Sequence, residues 1–214
     1  MKNFLIFLLL LSCKVKEGSY SSDDKLCLEP QACYDEYASC DQQTVWGGQE
    51  EGSHFLTFAT TNAYSAQQFS LAKDNLIYSI SVGIAQSSSP SGKAYVELRE
   101  SCYDNAENLI PCEAAIARSA GLDMDTFSIT TPIENQEFIF DEPIRLYKNK
   151  NYWIVVHYPL KGQTGKQIFQ YAKSGDPLPD FKYLMKTEDD ANWNAGWVTY
   201  DMVFLINECQ PGLD

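Results

Sequence analysis

Two groups of residues in this chain have types and spacings suited to chemistry. Trp193-Asn194-Ala195-Gly196-Trp197 sets two indoles in one loop, and Tyr171, Phe181, Tyr183 and Tyr200 lie close to it in sequence. Flat aromatic faces suit the apolar faces of sugar rings, while side-chain amides and carboxylates bond hydroxyls. Trp193, Asn192, Asn194 and Tyr171 are therefore the predicted ligand-binding set, with Asp190 as a further acceptor.

The second group is the cysteines, seven in all. Met1-Lys2-Asn3 is a short basic start and Phe4 to Leu11 an unbroken apolar run. That run is too short to span a bilayer, which takes about 20 residues, and it has the layout of a secretory signal over residues 1–12. It ends Leu10-Leu11-Ser12-Cys13, which resembles the lipobox of bacterial lipoproteins and predicts acylation at Cys13 and an outer or cell-surface membrane location, with an ordinary cleaved signal and secretion as the alternative. An odd count is awkward for an exported chain, and lipidation of Cys13 leaves six thiols for three bridges.

The nine-residue gap between Cys102 and Cys112 suits a bridge that closes one loop. Cys209 then pairs with one of Cys27, Cys33 and Cys40, and the remaining two pair with each other; spacing does not choose among these connectivities. Zinc is the alternative for the amino-terminal trio, but zinc sites favour ligand pairs two to four residues apart, and export favours disulfides.

Catalytic signatures are missing. The chain has no nucleophile elbow, no Walker loop, no zinc-binding helix pair and no dinucleotide fingerprint. Of its two histidines, His54 lies near a strand start and His157 at a strand end, where a rim residue is expected. Asp189 and Asp190 could in principle serve a glycosidase, but adjacency supplies no geometry, and they read as solvated loop residues. No cofactor is expected. A structural calcium ion has oxygens available at Asp123, Asp125, Glu188, Asp189 and Asp190, with no ordered ligand motif to link them.

The elements that must position these residues are short strands. Ile77 to Ala85 alternates, placing Tyr78, Ile80, Val82 and Ile84 on one face and Ser79, Ser81 and Gly83 on the other. Lys93 to Arg99 does the same, with Ala94, Val96 and Leu98 inward and Tyr95, Glu97 and Arg99 outward. Period two, broken by Gly, Pro, Ser and Asn clusters, marks half-buried antiparallel strands. Ser101 to Pro111 reads as a polar excursion, and Ile116 to Ser119 as a short strand. Phe138 to Phe140 and Tyr152 to His157 read as a central pair joined through Lys148-Asn149-Lys150-Asn151.

These strands predict an all-β fold, an antiparallel, jelly-roll-like β-sandwich over residues 51–210. A signal peptide (1–12), a tether (13–26) and a cysteine-rich segment (27–50) precede it; Pro30 could open a short helix there carrying Cys33, Tyr37 and Cys40 on one face. The formal charge of −13 repels phosphate backbones and argues against nucleic acid as a partner.

The body resembles bacterial extracellular β-sandwich domains grouped as choice-of-anchor domains, whose shape is similar to carbohydrate-binding modules. The resemblance rests on Ala66-Gln67-Gln68-Phe69, Leu76 to Ile84, Pro90-Ser91-Gly92 leading into Lys93 to Leu98, Pro143-Ile144-Arg145-Leu146 before Asn151 to Val156, and Asp201 to Ile206. It implies a noncatalytic surface domain and a structural role for Trp197, leaving Trp193 as the ligand candidate. Trp46, beside Gly47 and Gly48, is a second outlying indole that could cap the sandwich edge. The Cys27–Cys40 segment and the Cys102–Cys112 loop depart from the family pattern. Two expectations follow: an exported, lipid-anchored module for a surface glycan, or a structural or protein-interaction domain of the cell envelope. In both, contact with the membrane runs through the lipid anchor only.

Overall fold

The structure, a computed structural model, describes residues 42–46, 53–59, 63–129, 134–174, 180–195 and 200–209. Its strands are β1 (Gln42–Trp46), β2 (Ser53–Ala59), β3 (Ala63–Ser70), β4 (Asn75–Ser87), β5 (Lys93–Tyr103), β6 (Leu109–Arg118), β7 (Leu122–Asp123), β8 (Glu134–Leu146), β9 (Asn151–Tyr158), β10 (Gln167–Ser174), β11 (Tyr183–Thr187), β12 (Asn194–Ala195), β13 (Tyr200–Met202) and β14 (Phe204–Cys209). One 3-10 turn, Met124–Thr126, accompanies them, and no α-helix occurs among the described residues.

The strands make two antiparallel sheets. The first runs β1-β14-β4-β10-β13, with β2 beside β10 and β8 beside β4; the second runs β12-β11-β3-β9-β5-β6, with β7 beside β5. Their inner faces share one apolar core, in which Ile80, Val82, Ile84, Phe138 and Ile206 of the first sheet meet Phe69, Val96, Leu98, Ile154 and Val156 of the second. This is an antiparallel β-sandwich, compatible with a jelly-roll-like domain. Burying each such side chain contributes about 1.5–3 kcal/mol, so the core alone accounts for the alternation in the strands. The predicted inward set Ala94, Val96 and Leu98 is fully buried.

A bulge departs from the sequence pattern. The register of β4 against β8 shifts between Ile77 and Ser79. Ile77 is fully buried, whereas Tyr78 is only half-buried. The extra residue lets Ile77 and Ile80 both face the core, so Tyr78 drops out of the inward series expected from strict alternation.

Phe138–Phe140 and Tyr152–His157 do not pair, contrary to expectation. The first lies in β8 of the first sheet and the second in β9 of the second, between β3 and β5. Residues 147–150 carry the chain from one sheet to the other. Asn149 sits at φ 59°, its N–H donates to Leu71 O at 3.2 Å, and Lys148 N–H donates to Asp74 Oδ1 at 2.8 Å. Alternation tells which face a residue takes and is silent on its partner strand, so sequence pattern could not have separated the two. The interior also holds polar ties: Met202 N–H donates to Gln67 Oε1 and Gln67 Nε2 donates to Asp201 Oδ1, fastening β3 to β13.

The polar excursion after Ser101 is part of a two-stranded ribbon. β5 runs on to Tyr103 and β6 begins at Leu109, with register shifts on either side of Arg99. Asp104 caps the turn by accepting from the N–H groups of Ala106 and Asn108, and Glu107 takes φ 61°. Cys102 and Cys112 are disulfide-bonded across the ribbon, as spacing predicted. In the first sheet β1, drawn from the 27–50 stretch, pairs with β14. Cys13, Cys27, Cys33, Cys40, the helix expected after Pro30 and Trp197 lie outside the described residues, as do the side chains of Cys209 and Trp46.

Candidate functional site

The outer face of the second sheet carries the polar and aromatic residues that the core does not use. Register fixes their neighbours. Lys186, Tyr64, His157 and Tyr95 lie opposite one another across β11, β3, β9 and β5. The next row is Leu184, Ala66, Val155, Glu97 and Arg118, running on to β6. Because successive residues alternate in direction, each row points away from the core.

The floor of this face is apolar. Trp153 is fully buried although it faces outward, packed in a small cluster with Ala66, Val155 and Leu184, against which Tyr64, Ile110 and Trp193 lean. Its indole N–H donates to Ser101 Oγ at 2.9 Å. β9 is thus buried on both faces, which explains its unbroken aromatic and aliphatic run.

Above the floor opens a cleft of about 320 Å³. The β11–β12 side supplies Lys186, Glu188, Ala191, Asn192 and Trp193; the disulfide-bonded ribbon supplies Asp104, Ile110, Pro111 and Glu113; Tyr64 and Arg99 lie between. Trp193 meets Tyr64 edge-on, with centroids 6.4 Å apart and planes at 74°.

Of the predicted ligand-binding set, Trp193 and Asn192 converge in this cleft. Asn194 lies next to them at the exposed edge of β12, paired with Met185. Tyr171 does not join them. It alternates with the buried Gln170 and Ala172 on β10 and so lies on the outer face of the first sheet, across the sandwich. Closeness in sequence misleads here because the chain changes sheets between β10 and β11.

Sequence reasoning missed the charged centre of the face. Glu97 is buried, its side chain 3% exposed, and both oxygens are held by guanidinium groups. Arg118 Nε donates to Oε1 at 2.7 Å, while Arg99 donates through Nε and Nη2 to Oε2. Arg99 Nη1 also donates to Cys112 O, fastening the ribbon to the sheet. The Arg118 guanidinium lies 4.3 Å over the Tyr95 ring, a cation–π contact. Glu97 and Arg99 stand two residues apart and so share a face, a visible signal; the third member needed the register of β6.

His157 is not a rim residue. Its ring is sandwiched between Tyr64 at 4.4 Å and Tyr95 at 4.6 Å, only 8% of the residue is exposed, and neither ring nitrogen has a hydrogen-bond partner among the described residues. Burial lowers its pKa to about 4, so it is neutral at physiological pH.

The acidic residues weighed for calcium are scattered or already engaged. Asp123 stands 3.9 Å from Lys93, Glu188 pairs with Lys161, and Asp190 accepts from the N–H and hydroxyl of Thr187. Those hydrogen bonds hold the Asp190 carboxyl below the usual range. Among the described residues no group of three or more His, Cys, Asp or Glu gathers to hold a metal ion, and no helix is long and apolar enough to cross a membrane. No protein-family model matches the chain, and no curated protein is significantly similar to it in sequence.

Proposed function

We propose that this chain is an exported, lipid-anchored, noncatalytic surface module that binds carbohydrate on the outer face of its second sheet, as a domain of the choice-of-anchor type. The observation that carries the reading is the convergence of Trp193, Asn192 and Tyr64 around one cleft over an apolar floor. An indole supplies a flat apolar surface for a sugar ring, and the amide and the charged rim supply hydroxyl partners. The absence of a catalytic motif in the sequence and the buried, stacked position of His157 favour a binding role over catalysis.

A glycan array tests the reading. Wild type should bind, and Trp193→Ala should weaken binding at least tenfold while leaving thermal unfolding in place. Absence of glycan binding, with recovery of an envelope protein in a pull-down, would replace the module by a protein-interaction domain. Acylation is tested separately: mass spectrometry of the mature chain should find a diacyl or triacyl group on Cys13 at the amino terminus.

A further inference from the structure

From the charges along the outer face we infer that the carbohydrate is a linear polysaccharide bearing carboxylates, laid across the strands from Lys186 to Arg118. The inference rests on the carbohydrate reading above and specifies its ligand class.

The row Lys186, Tyr64, His157, Tyr95 crosses four adjacent strands at one register level, and Arg118 folds over its far end. Strands lie about 4.8 Å apart, so Lys186 and Tyr95 are roughly 14 Å apart along the row. That length suits an extended chain better than a single ring. Tyr64 and His157 stack face to face, 25° from parallel. Rings stacked on one another show their edges to a ligand and keep their faces hidden. Trp193 at the cleft is therefore the aromatic group left for sugar stacking.

The ends of the row take anions. Glu97 carries one negative charge against two guanidinium groups, so the trio is net positive. Arg118 is held by Glu97 through Nε and Nη2 and by the Tyr95 ring, while its Nη1 makes no hydrogen bond among the described residues. A guanidinium fixed on one side and open on the other is pre-organised for a carboxylate. Lys186 makes no hydrogen bond or ion pair among the described residues, although the Asp190 carboxylate lies within its electrostatic reach.

Three anions border the cleft: Glu188 pairs with Lys161, while Asp104, kept ionised by the N–H groups of its own turn, and Glu113 are the opposing charges. The overall charge of −13 opposes any polyanion, as it opposes nucleic acid, so binding requires the contacts at Lys186 and Arg118 to outweigh a repulsion that salt screens beyond about 8 Å.

The test measures binding of the full chain to polygalacturonate and alginate, and to the carboxyl-reduced form of each, by titration calorimetry. At least one acidic polymer should bind, and carboxyl reduction should weaken it tenfold or more. Lys186→Gln and Arg118→Gln should each weaken it several-fold, and the pair at least tenfold. Because Arg118→Gln disturbs Glu97, Lys186→Gln serves as the variant without structural consequence, with thermal unfolding followed for both. Equal binding of acidic and reduced polymers, lost in Trp193→Ala, would overturn the carboxylate inference and leave the carbohydrate reading standing. Acidic binding indifferent to both cation variants would overturn the placement along the row. Failure of all four polymers overturns the inference, and the glycan array then decides separately whether the carbohydrate reading falls with it.

Discussion

The imidazole of His157 stacks on the ring of Tyr64, centroids 4.4 Å apart and planes 25° from parallel, with Tyr95 closing its other side at 4.6 Å. Burial is the main reason this ring stays neutral; Arg118 and Arg99 push the same way, and Glu97 and Glu188 oppose them. The unfolded chain takes up this proton near pH 6.5 and the folded chain only near pH 4. Stability from this residue is therefore intact above pH 6.5 and is lost as the pH falls towards 4, by up to about 3 kcal/mol. His157→Phe keeps an aromatic ring in the stack and should flatten that part of the profile. Urea midpoints at pH 7.5 and 4.5 for both proteins check it, and an unchanged difference between them would remove His157 from the explanation.

Glu97 is expected to hold the outer face together. Glu97→Gln keeps the shape but leaves two guanidinium groups facing each other without their anion. Removing one member of a buried ionic group is strongly destabilising; with Arg118 about 59% exposed, the expected loss is at the low end, about 3 kcal/mol. A denaturant midpoint within error of wild type would mean that solvent already screens the trio.

The disulfide should matter for both stability and the cleft. Its cysteines are 10 residues apart, and the chain-entropy relation gives about 2–3 kcal/mol for a loop of this size. Replacing Cys102 and Cys112 together by Ser should lower stability by that amount. It should also weaken ligand binding, because Ile110 and Pro111 of the ribbon wall the cleft. If stability drops while binding does not, the ribbon is a support and not a wall.

Gly92 sits at φ 98°, and its carbonyl accepts from Met124 N–H at 2.9 Å. A Cβ there would come within 3.3 Å of Pro159 Cγ in a backbone conformation that side chains rarely adopt. Gly92→Ala should destabilise the domain by about 1–3 kcal/mol, read from thermal unfolding. Gly162→Ala is the comparison: its φ of 76° is also positive, but nothing lies within 4 Å of the added carbon, so the smaller loss expected there isolates the contact with Pro159.

Much of the sandwich was legible because period two reports a half-buried strand whatever its partner. Ala94, Val96 and Leu98 are the plain case, and the nine-residue cysteine gap was short enough to name its own bridge. Tyr78 was misplaced because a bulge adds a residue without leaving a mark in composition. β8 and β9 were joined wrongly because a four-residue loop can close a hairpin or cross between sheets. Trp193 and Asn192, chosen from residue type alone, both line the cleft. Tyr171 lies away from it, since neighbours in sequence separated by a sheet change end on opposite outer faces. The Glu97 trio and the row through His157 depend on which residues of four or five strands stand level. Only the register of the sheet fixes that.

The place of β4 has a kinetic consequence. Its three strand partners, β8, β10 and β14, all follow it in the chain, and the pairing of Leu76 with Cys209 closes a loop spanning most of the protein. Such distant pairings must lose loop entropy before they gain contacts, which places folding in the millisecond-to-second range. During synthesis the apolar run Ile77–Ile84 emerges early; β8 can cover one of its edges once residue 146 is made, but the edge that pairs with β14 stays open until residues 204–209 are released. Open apolar edges are where strands of separate molecules join. Aggregation thus competes with folding while that last strand is still inside the ribosome, and a carboxy-terminal truncation before Phe204 would make the competition permanent.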